Sequence, residues 1–413
     1  MDPIITKCIA NQQETRDALT KLTGLDELRV LGYESDEDEI IWFCENIYDV
    51  SMCPNCQKIS SEIHEKHKRV KRDLSVFGKR SYLEYEHRRF ECDKCGKPFT
   101  EIIEGIPPSG RYTKRYENYI YAHYKESSIS HISRQEMLGY KAAAGIFYRQ
   151  AEAQVTASKR QIVKRLGIDE ISLKKRHQQF VIVLSDLDKN CVIDVIEERH
   201  KEKLDAWFDG LSDEQKAAIE EVSMDMWNPY RLSVQAKLPD ADIVADRFHV
   251  MQNLNRAVTT TRRQIQRQAP TEVKEQLKGS RWVLVKNQAA LSEKEGDLLQ
   301  RIYQLSPELR DLHLLKEAFR DIFESDQQRD DAIWALAEWC DSALDSGHSR
   351  LDAFVRTLEN WADQVLNYFN FRTTQGFVEG MNNKLKLIMR RGYGYRNFNN
   401  FALRILAECG STS

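Results

Sequence analysis

Leu166-Gly167-Ile168-Asp169-Glu170-Ile171 is followed by two apolar runs, Phe180 to Leu187 and Cys191 to Ile196. Their alternation and β-branched content predict three adjacent strands, with Asp169 at the middle or end of the first. Two more carboxylates stand out by position. Asp225 follows the apolar Glu221-Val222-Ser223-Met224, and Glu379 opens the polar and basic segment Glu379-Gly380-Met381-Asn382-Asn383-Lys384. Two aspartates at strand ends and a glutamate on a late helix can hold two divalent metal ions for an in-line phosphoryl displacement. Glu170 would point opposite Asp169 along the same strand, so it reads as a supporting or substrate-facing residue.

Beyond these strands, Lys201 to Leu211 reads as a helix and Asp213 to Ala218 as its continuation. A helix opens at Pro229-Tyr230, and Ala241 to Ala245 forms a further strand ending at Asp246-Arg247-Phe248-His249. Three strands, helix, strand, helix, strand is the order of a ribonuclease-H-like α/β core, in which the first and fourth strands are neighbours. Asp246 also ends a strand and rivals Asp225 for the second metal position; strand order favours Asp225. The Asp246/His249 pair can orient a base, a phosphate or a metal shell, or serve as ordinary structural pairing. Asp186, Asp188 and Asp194 read as surface aspartates around a turn. From Val250 to about Tyr368 the chain is almost continuously helical. Trp282, Trp334, Trp339 and Trp361 are expected to anchor the core of this helical insertion, which delays Glu379.

Four of the nine cysteines form Cys53-Pro54-Asn55-Cys56 and Cys92-Asp93-Lys94-Cys95. Two such pairs complete a tetrahedral zinc site. Disulfides and redox chemistry are the alternatives; the first residues lack a signal peptide, and paired spacing is unlike an isolated redox motif. Residues 70–80 and 81–87 read as strands around a turn at Gly78, giving a zinc ribbon in which metal replaces a small core. Upstream, residues 11–30 look helical through Leu19, Leu22, Leu25 and Leu28, and Ile40 to Val50 looks strand-like.

Pro107-Pro108-Ser109-Gly110 marks a boundary. Helices follow to about Arg165, with a glycine corner at Gly139 before a helix from Lys141 to Gln154. This is compatible with a helix-turn-helix, which its place between the ribbon and the basic run at 158–165 favours; a plain three-helix connector is the alternative. The chain of 413 residues, 41% apolar and 30% charged, is long enough for several domains. No apolar run is long enough to span a membrane. The net charge of -3 conceals basic stretches at 66–80, 156–165 and 384–396. Lys159, Arg160, Lys164 and Arg165, and later Lys384, Lys386, Arg390 and Arg391, are the candidates for phosphate contact; a solvated face is the other reading of any one run.

Taken together, the chain resembles bacterial insertion-sequence transposases of the DDE class that carry a zinc ribbon, a helix-turn-helix and a helical insertion in the catalytic core. The resemblance rests on Leu166 to Glu170, Val222 to Met226 with Pro229-Tyr230, Ala241 to Val250, Val378 to Lys386, and Arg390-Arg391-Gly392-Tyr393-Gly394-Tyr395. It implies an α/β chain in five parts. These are a zinc-ribbon segment at 1–105, a helix-turn-helix with basic linker at 111–165, a ribonuclease-H-like core beginning at 166–250, a helical insertion at 251–370, and the closing helices at 371–413. It implies catalysis by Asp169, Asp225 and Glu379 with two Mg²⁺ or Mn²⁺ ions, and structural Zn²⁺ on Cys53, Cys56, Cys92 and Cys95. The implied partners are double-stranded DNA, as terminal inverted repeats and target, and further copies of the chain, at least a dimer on paired ends. The implied place is the bacterial cytoplasm, on the nucleoid when DNA is bound. A non-catalytic DNA-binding regulator with a degenerate nuclease-like core is the competing expectation.

Overall fold

The computed structural model describes residues 6–9, 13–158, 161–174, 179–373 and 376–411. The chain divides into two compact units, Met1–Gln150 and Ala151–Ser413.

The first unit is built on a six-stranded sheet. Its elements are β1 (Thr6–Ile9), α1 (Gln13–Thr23), β2 (Leu28–Ser35), β3 (Glu39–Asn46), the short pair β4 (Ser51–Met52) and β5 (Ile59–Ser60), β6 (Ile63–Val76), β7 (Lys79–Cys92) and β8 (Lys97–Thr100). The order is β1-β2-β3-β7-β6, with β8 also on β7. Phe77 and Gly78 both take positive φ in the tight turn of the β6–β7 hairpin, the geometry that matches strand twist. This hairpin is much longer than a ribbon requires. Its distal half pairs β7 in parallel with β3, from Glu39 beside Arg80 to Phe43 beside Glu84. Leu28, Val30, Ile40, Trp42, Leu83 and Tyr85 then close a hydrophobic core of their own. The expectation that metal stands in for a missing core therefore applies only to the cysteine end of the unit.

Helices α2 (Lys114–Glu126), α3 (Ile129–Gln135) and α4 (Tyr140–Ser158) follow, the last running on into the second unit. Buried charge ties the first two to the sheet. Arg72 meets Glu136 at 3.2 Å, and Tyr116 and Tyr119 donate to the same carboxylate at 3.2 and 3.1 Å. Lys71, also buried, donates to the carbonyls of Pro107, Ser109 and Gly110. Two cations of the 66–80 run are thus consumed by the fold, since a buried charge survives only with such partners.

The second unit is organised on a five-stranded sheet of β9 (Arg165–Lys174), β10 (Gln179–Asp186), β11 (Cys191–Glu197), β12 (Glu221–Met224) and β13 (Asp242–Ala245), in the order β11-β10-β9-β12-β13. The first and fourth strands of the unit are neighbours, as expected, and β9, β12 and β13 run parallel. Helices α5 (Lys201–Asp209), α6 (Asp213–Ala218) and α7 (Asn228–Lys237) connect the strands. After β13 come α8 (Arg247–Gln268), α9 (Thr271–Gln276), α10 (Ser280–Val285), α11 (Glu293–Leu305), α12 (Pro307–Glu324), α13 (Arg329–Asp345), α14 (Ser349–Asn360) and α15 (Ala362–Phe371). The closing helices are α16 (Gly376–Arg391) and α17 (Phe398–Cys409).

Strand alternation sorts the two faces. Leu166, Ile168, Ile182 and Leu184 join one continuous core with α5, α7, α8 and the helices to α15. Ile171, Val181, Val183 and Val195 pack instead against Met381, Leu385, Ile388, Phe401 and Ile405 of α16 and α17. Asp169 shares this second face. Two expectations need correction. Trp339 and Trp361 are core anchors, but Trp282 is 66% exposed and Trp334 77% exposed, because each stands on the outer side of its helix. Asp186 is buried rather than on the surface, since its carboxylate accepts the backbone N–H groups of Asp188 and Lys189 at 3.0 Å and so closes the turn. Among the described residues no helix is long and apolar enough to cross a membrane.

Candidate functional site

Parallel register assembles the carboxylates. Ile168, Met224 and Ala245 lie abreast on β9, β12 and β13. The residue that follows on each is an aspartate: Asp169, in the middle of β9, and Asp225 and Asp246, just past the ends of β12 and β13. Each is locally pinned by a backbone N–H, from Glu170 (2.6 Å), Met226 (2.7 Å) and Phe248 (3.1 Å) respectively. Asp246 does so as the N-cap of α8, and it is the most deeply buried of the three.

His249, one turn into α8, sits among all three. Its Nε2 is 3.7 Å from Asp169 Oδ1 and 3.6 Å from Asp246 Oδ2, and its Nδ1 is 3.4 Å from Asp225 Oδ1. Burial opposes charge on this imidazole, but the three carboxylates outweigh it and lift its pKa to about 9. Burial likewise pushes Asp246 up to about 6, against the pull of His249. The choice between Asp225 and Asp246 read from sequence is therefore not exclusive in space: both reach the same imidazole.

The late helix comes to this cluster through Asn382 of α16, whose Nδ2 donates to Asp169 Oδ2 at 2.6 Å. Glu379 lies in the same helix, one turn earlier. Its side chain is outside the described residues, as are Lys159 and Arg160. Sequence reading passed over Asn382, although its place three residues after Glu379 on one helical stripe could have signalled it. Glu170 faces away as expected. Arg199 pairs with it at 2.6 Å and lies over the Trp227 ring at 4.0 Å.

The remaining predicted cations divide. Lys386 and Arg390 are exposed. Lys384 donates to the Glu408 carbonyl at 2.8 Å, and Arg391 pairs with the buried Glu408 carboxylate. Lys164 pairs with Glu220 at 3.0 Å, and Arg165 donates to Asp188 at 2.7 Å.

In the first unit, Cys53, Cys56, Cys92 and Cys95 bring four sulfurs within 4.8 Å of one another. A tetrahedral ion with Zn–S bonds of about 2.3 Å needs sulfurs roughly 3.8 Å apart, and Cys56 and Cys92 are at 3.5 Å. Both knuckles turn alike: Gln57 and Gly96, each directly after the second cysteine of its pair, take positive φ. Their N–H groups bond back to the carbonyls of Cys53 and Cys92. The backbone N–H of Cys56 leads the interactions that bring the Cys53 thiol down to about 7, which suits a thiolate ligand. Lys58 and Asp93 tie the knuckles together at 3.0 Å.

Comparison with known proteins agrees with the cysteine cluster and gives the family of the rest of the chain. Residues 166–405 match a family described as transposase, and residues 49–95 match the zinc-finger of the transposases of IS204, IS1001, IS1096 and IS1165. The transposase for insertion sequence element IS1001 of Bordetella parapertussis is 28% identical over 363 residues, covering 87% of this chain and 88% of that protein. The transposase for insertion sequence element IS1557 of Mycobacterium tuberculosis is 29% identical over 57% of each chain. With a family match across more than half its length and a zinc-ribbon match ahead of it, the chain belongs to the insertion-sequence transposases of the DDE class that carry an N-terminal zinc ribbon.

Proposed function

We propose that the chain binds the terminal inverted repeats of its element, cuts DNA there and joins the freed 3′-hydroxyl to target DNA. The convergence of Asp169 and Asp225 on one imidazole, with Asn382 tying α16 to Asp169, carries the reading. A five-stranded sheet whose first and fourth strands adjoin is the frame of a ribonuclease-H-like core, and it supports the same chemistry.

Carboxylate oxygens brought together from neighbouring strands suit a hard divalent cation. Asp169, Asp225 and Glu379 would hold Mg²⁺ or Mn²⁺, which when bound supplies activation of water or a 3′-hydroxyl and stabilises the leaving oxygen. Asn382 holds the Oδ2 oxygen of Asp169. Asp246 caps α8 and, with His249, keeps that helix terminus against the cluster, so its role is positional. Protonated His249 offsets part of the carboxylate charge and can meet a phosphate oxygen. For DNA, α3 and α4 would act as a helix-turn-helix beside the ribbon. Exposed Lys386 and Arg390, with Lys159 and Arg160, would contact phosphates, whereas Lys164, Arg165, Lys384 and Arg391 would first have to exchange their present protein partners. Two copies, one on each end, would bring a pair of ends together.

The test is Mg²⁺-dependent cleavage of DNA carrying the terminal repeat. Asp169→Ala, Asp225→Ala and Glu379→Ala should each abolish it with DNA binding retained. Asp246→Asn keeps a capping oxygen and should be impaired far less. Normal cleavage by Asp225→Ala together with loss in Asp246→Ala would reassign the second ligand. Cleavage that survives all three alanine changes would leave only a DNA-binding role.

A further inference from the structure

The helices after the carboxylates carry a basic groove that core packing does not explain. Helix α8 buries Val250, Leu254, Ala257 and Val258 against the rest of the unit. Another side of it presents Phe248, Gln252, Asn255, Arg256 and Arg263 to a groove completed by Arg281 of α10. Arg256, Arg263 and Arg281 are all exposed. Among the described residues lining this groove there is no carboxylate. Arg256 is steadied by neutral partners, Gln252 at 2.7 Å and Asn253 at 3.2 Å, so its charge stays uncompensated. Arg281 lies over the exposed Trp282 ring at 4.7 Å.

A fourth guanidinium stands behind these. Arg262 is buried, donating to Gln266 at 2.9 Å and Ser280 at 3.3 Å. Its pKa is lowered first by burial and then by Arg263 and Arg281 beside it. Like charges gathered without an acid repel one another, a cost that a polyanion would relieve. The direction of the groove is also informative. Phe248 at one end is the neighbour of His249, which touches all three aspartates. From Phe248 to Arg263 the helix advances about 22 Å at roughly 1.5 Å per residue. One DNA strand covers about six phosphates in that length.

We infer that this groove holds the sugar–phosphate backbone of a DNA strand and leads it to the carboxylate cluster, making the helical segment a DNA-contact surface in its own right. The inference rests on the proposed action on DNA. Guanidinium forks with Gln, Asn and Thr donors along one helix suit phosphate oxygens better than an acidic protein segment.

The experiment uses the full chain and two duplexes, one with the terminal repeat and one scrambled. Binding is titrated with salt for wild type, an R256A/R263A/R281A triple variant and an R256K/R263K/R281K triple variant. Because these side chains are exposed, truncation leaves the core untouched, and the lysine variant checks for indirect damage. The alanine variant should weaken binding to both duplexes alike. Its slope of log affinity against log salt should be shallower by about 2.7, from three contacts at about 0.9 each. The lysine variant should keep the wild-type slope. An alanine variant with wild-type affinity and slope overturns the groove assignment. So does a loss confined to the terminal-repeat duplex, or an alanine variant that binds DNA normally but no longer binds immobilised poly-glutamate. Wild type that binds neither duplex instead sinks the underlying DNA reading together with this one.

Discussion

Asn382 Nδ2 donates to Asp169 Oδ2 at 2.6 Å, joining a helix near the end of the chain to the first strand of the sheet. Asp169 Oδ1 is held by the Glu170 N–H on the other side. The carboxylate is therefore fixed in rotation before any ligand arrives. Groups that orient a ligating carboxylate commonly matter by 10- to 100-fold. Asn382→Ala should lower Mg²⁺-dependent cleavage by about that factor, raise the Mg²⁺ concentration needed for half-maximal rate, and leave DNA affinity unchanged. An unchanged Mg²⁺ dependence would show that Asn382 acts only in packing α16.

The two cores of the first unit make a second prediction. Cys53, Phe90, Cys92 and Phe99 cluster at the metal end, whereas Leu28, Val30, Trp42, Leu83 and Tyr85 close a separate core at the other end of the hairpin. One zinc should be found per chain. Its removal by chelation, or Cys56→Ser, should release hydrogen-exchange protection at residues 51–60 and 92–99. Protection in β2, β3 and the first half of β7 should persist. Loss of protection throughout the sheet would mean that the metal sustains the whole unit.

What could be read from the sequence, and what could not, follows from the range of the interactions. The β9–β12 adjacency was accessible because the element order, three strands, helix, strand, helix, strand, is that of a core whose first and fourth strands adjoin, and Asp169 and Asp225 because each directly follows an apolar strand residue. The parallel pairing of β3 with β7 was not, since the periodicity of residues 39–46 is silent about a partner beyond the whole β6 strand. Lys71 and Arg72 looked like part of a basic surface, because composition cannot distinguish a solvated cation from one satisfied by three carbonyls or by Glu136. Trp282 and Trp334 misled for the opposite reason: large aromatics usually bury, but neither faces inward here. His249 was noticed with Asp246, yet its contact with all three aspartates is a product of strand register.

Exposed Lys386 and Arg390 on α16 should contribute binding energy without sequence preference, since phosphate contacts carry no base information. Replacing both with alanine should weaken binding of the full chain to terminal-repeat and scrambled DNA by the same factor. The salt slope should fall by about 1.8, from two contacts at about 0.9 each. Should the double variant lose its preference for the terminal repeat, sequence reading resides in α16 rather than in the helices of the first unit.

The last prediction concerns acid stability and the buried polar chain inside the helices after β13. His313 is fully buried on α12, with Nδ1 at 2.7 Å from Tyr303 Oη and Nε2 at 3.5 Å from the buried Lys316 Nζ. Lys316 also donates to the Lys286 carbonyl at 2.8 Å and pairs with Glu317, which meets Arg320 at 3.3 Å. Glu317 Oε1 also faces Nε2 at 3.7 Å, a pull toward protonation that burial and the two cations outweigh. Burial first, then Lys316 and Arg320, hold His313 down at about 4, against an ordinary value of 6.5. The folded state therefore refuses a proton that the unfolded chain accepts. Stability is complete above about pH 6.5, falls as pH drops through the interval to about 4, and levels off below it as far as this group is concerned. The span corresponds to a loss on the order of 3 kcal/mol. His313→Gln keeps an amide N–H and a carbonyl acceptor but cannot take up a proton in this range. It should be less stable than wild type at pH 7.5, and its denaturant midpoint should depend less on pH between 6.5 and 4. Parallel pH dependences for the two proteins would place the acid-sensitive group elsewhere.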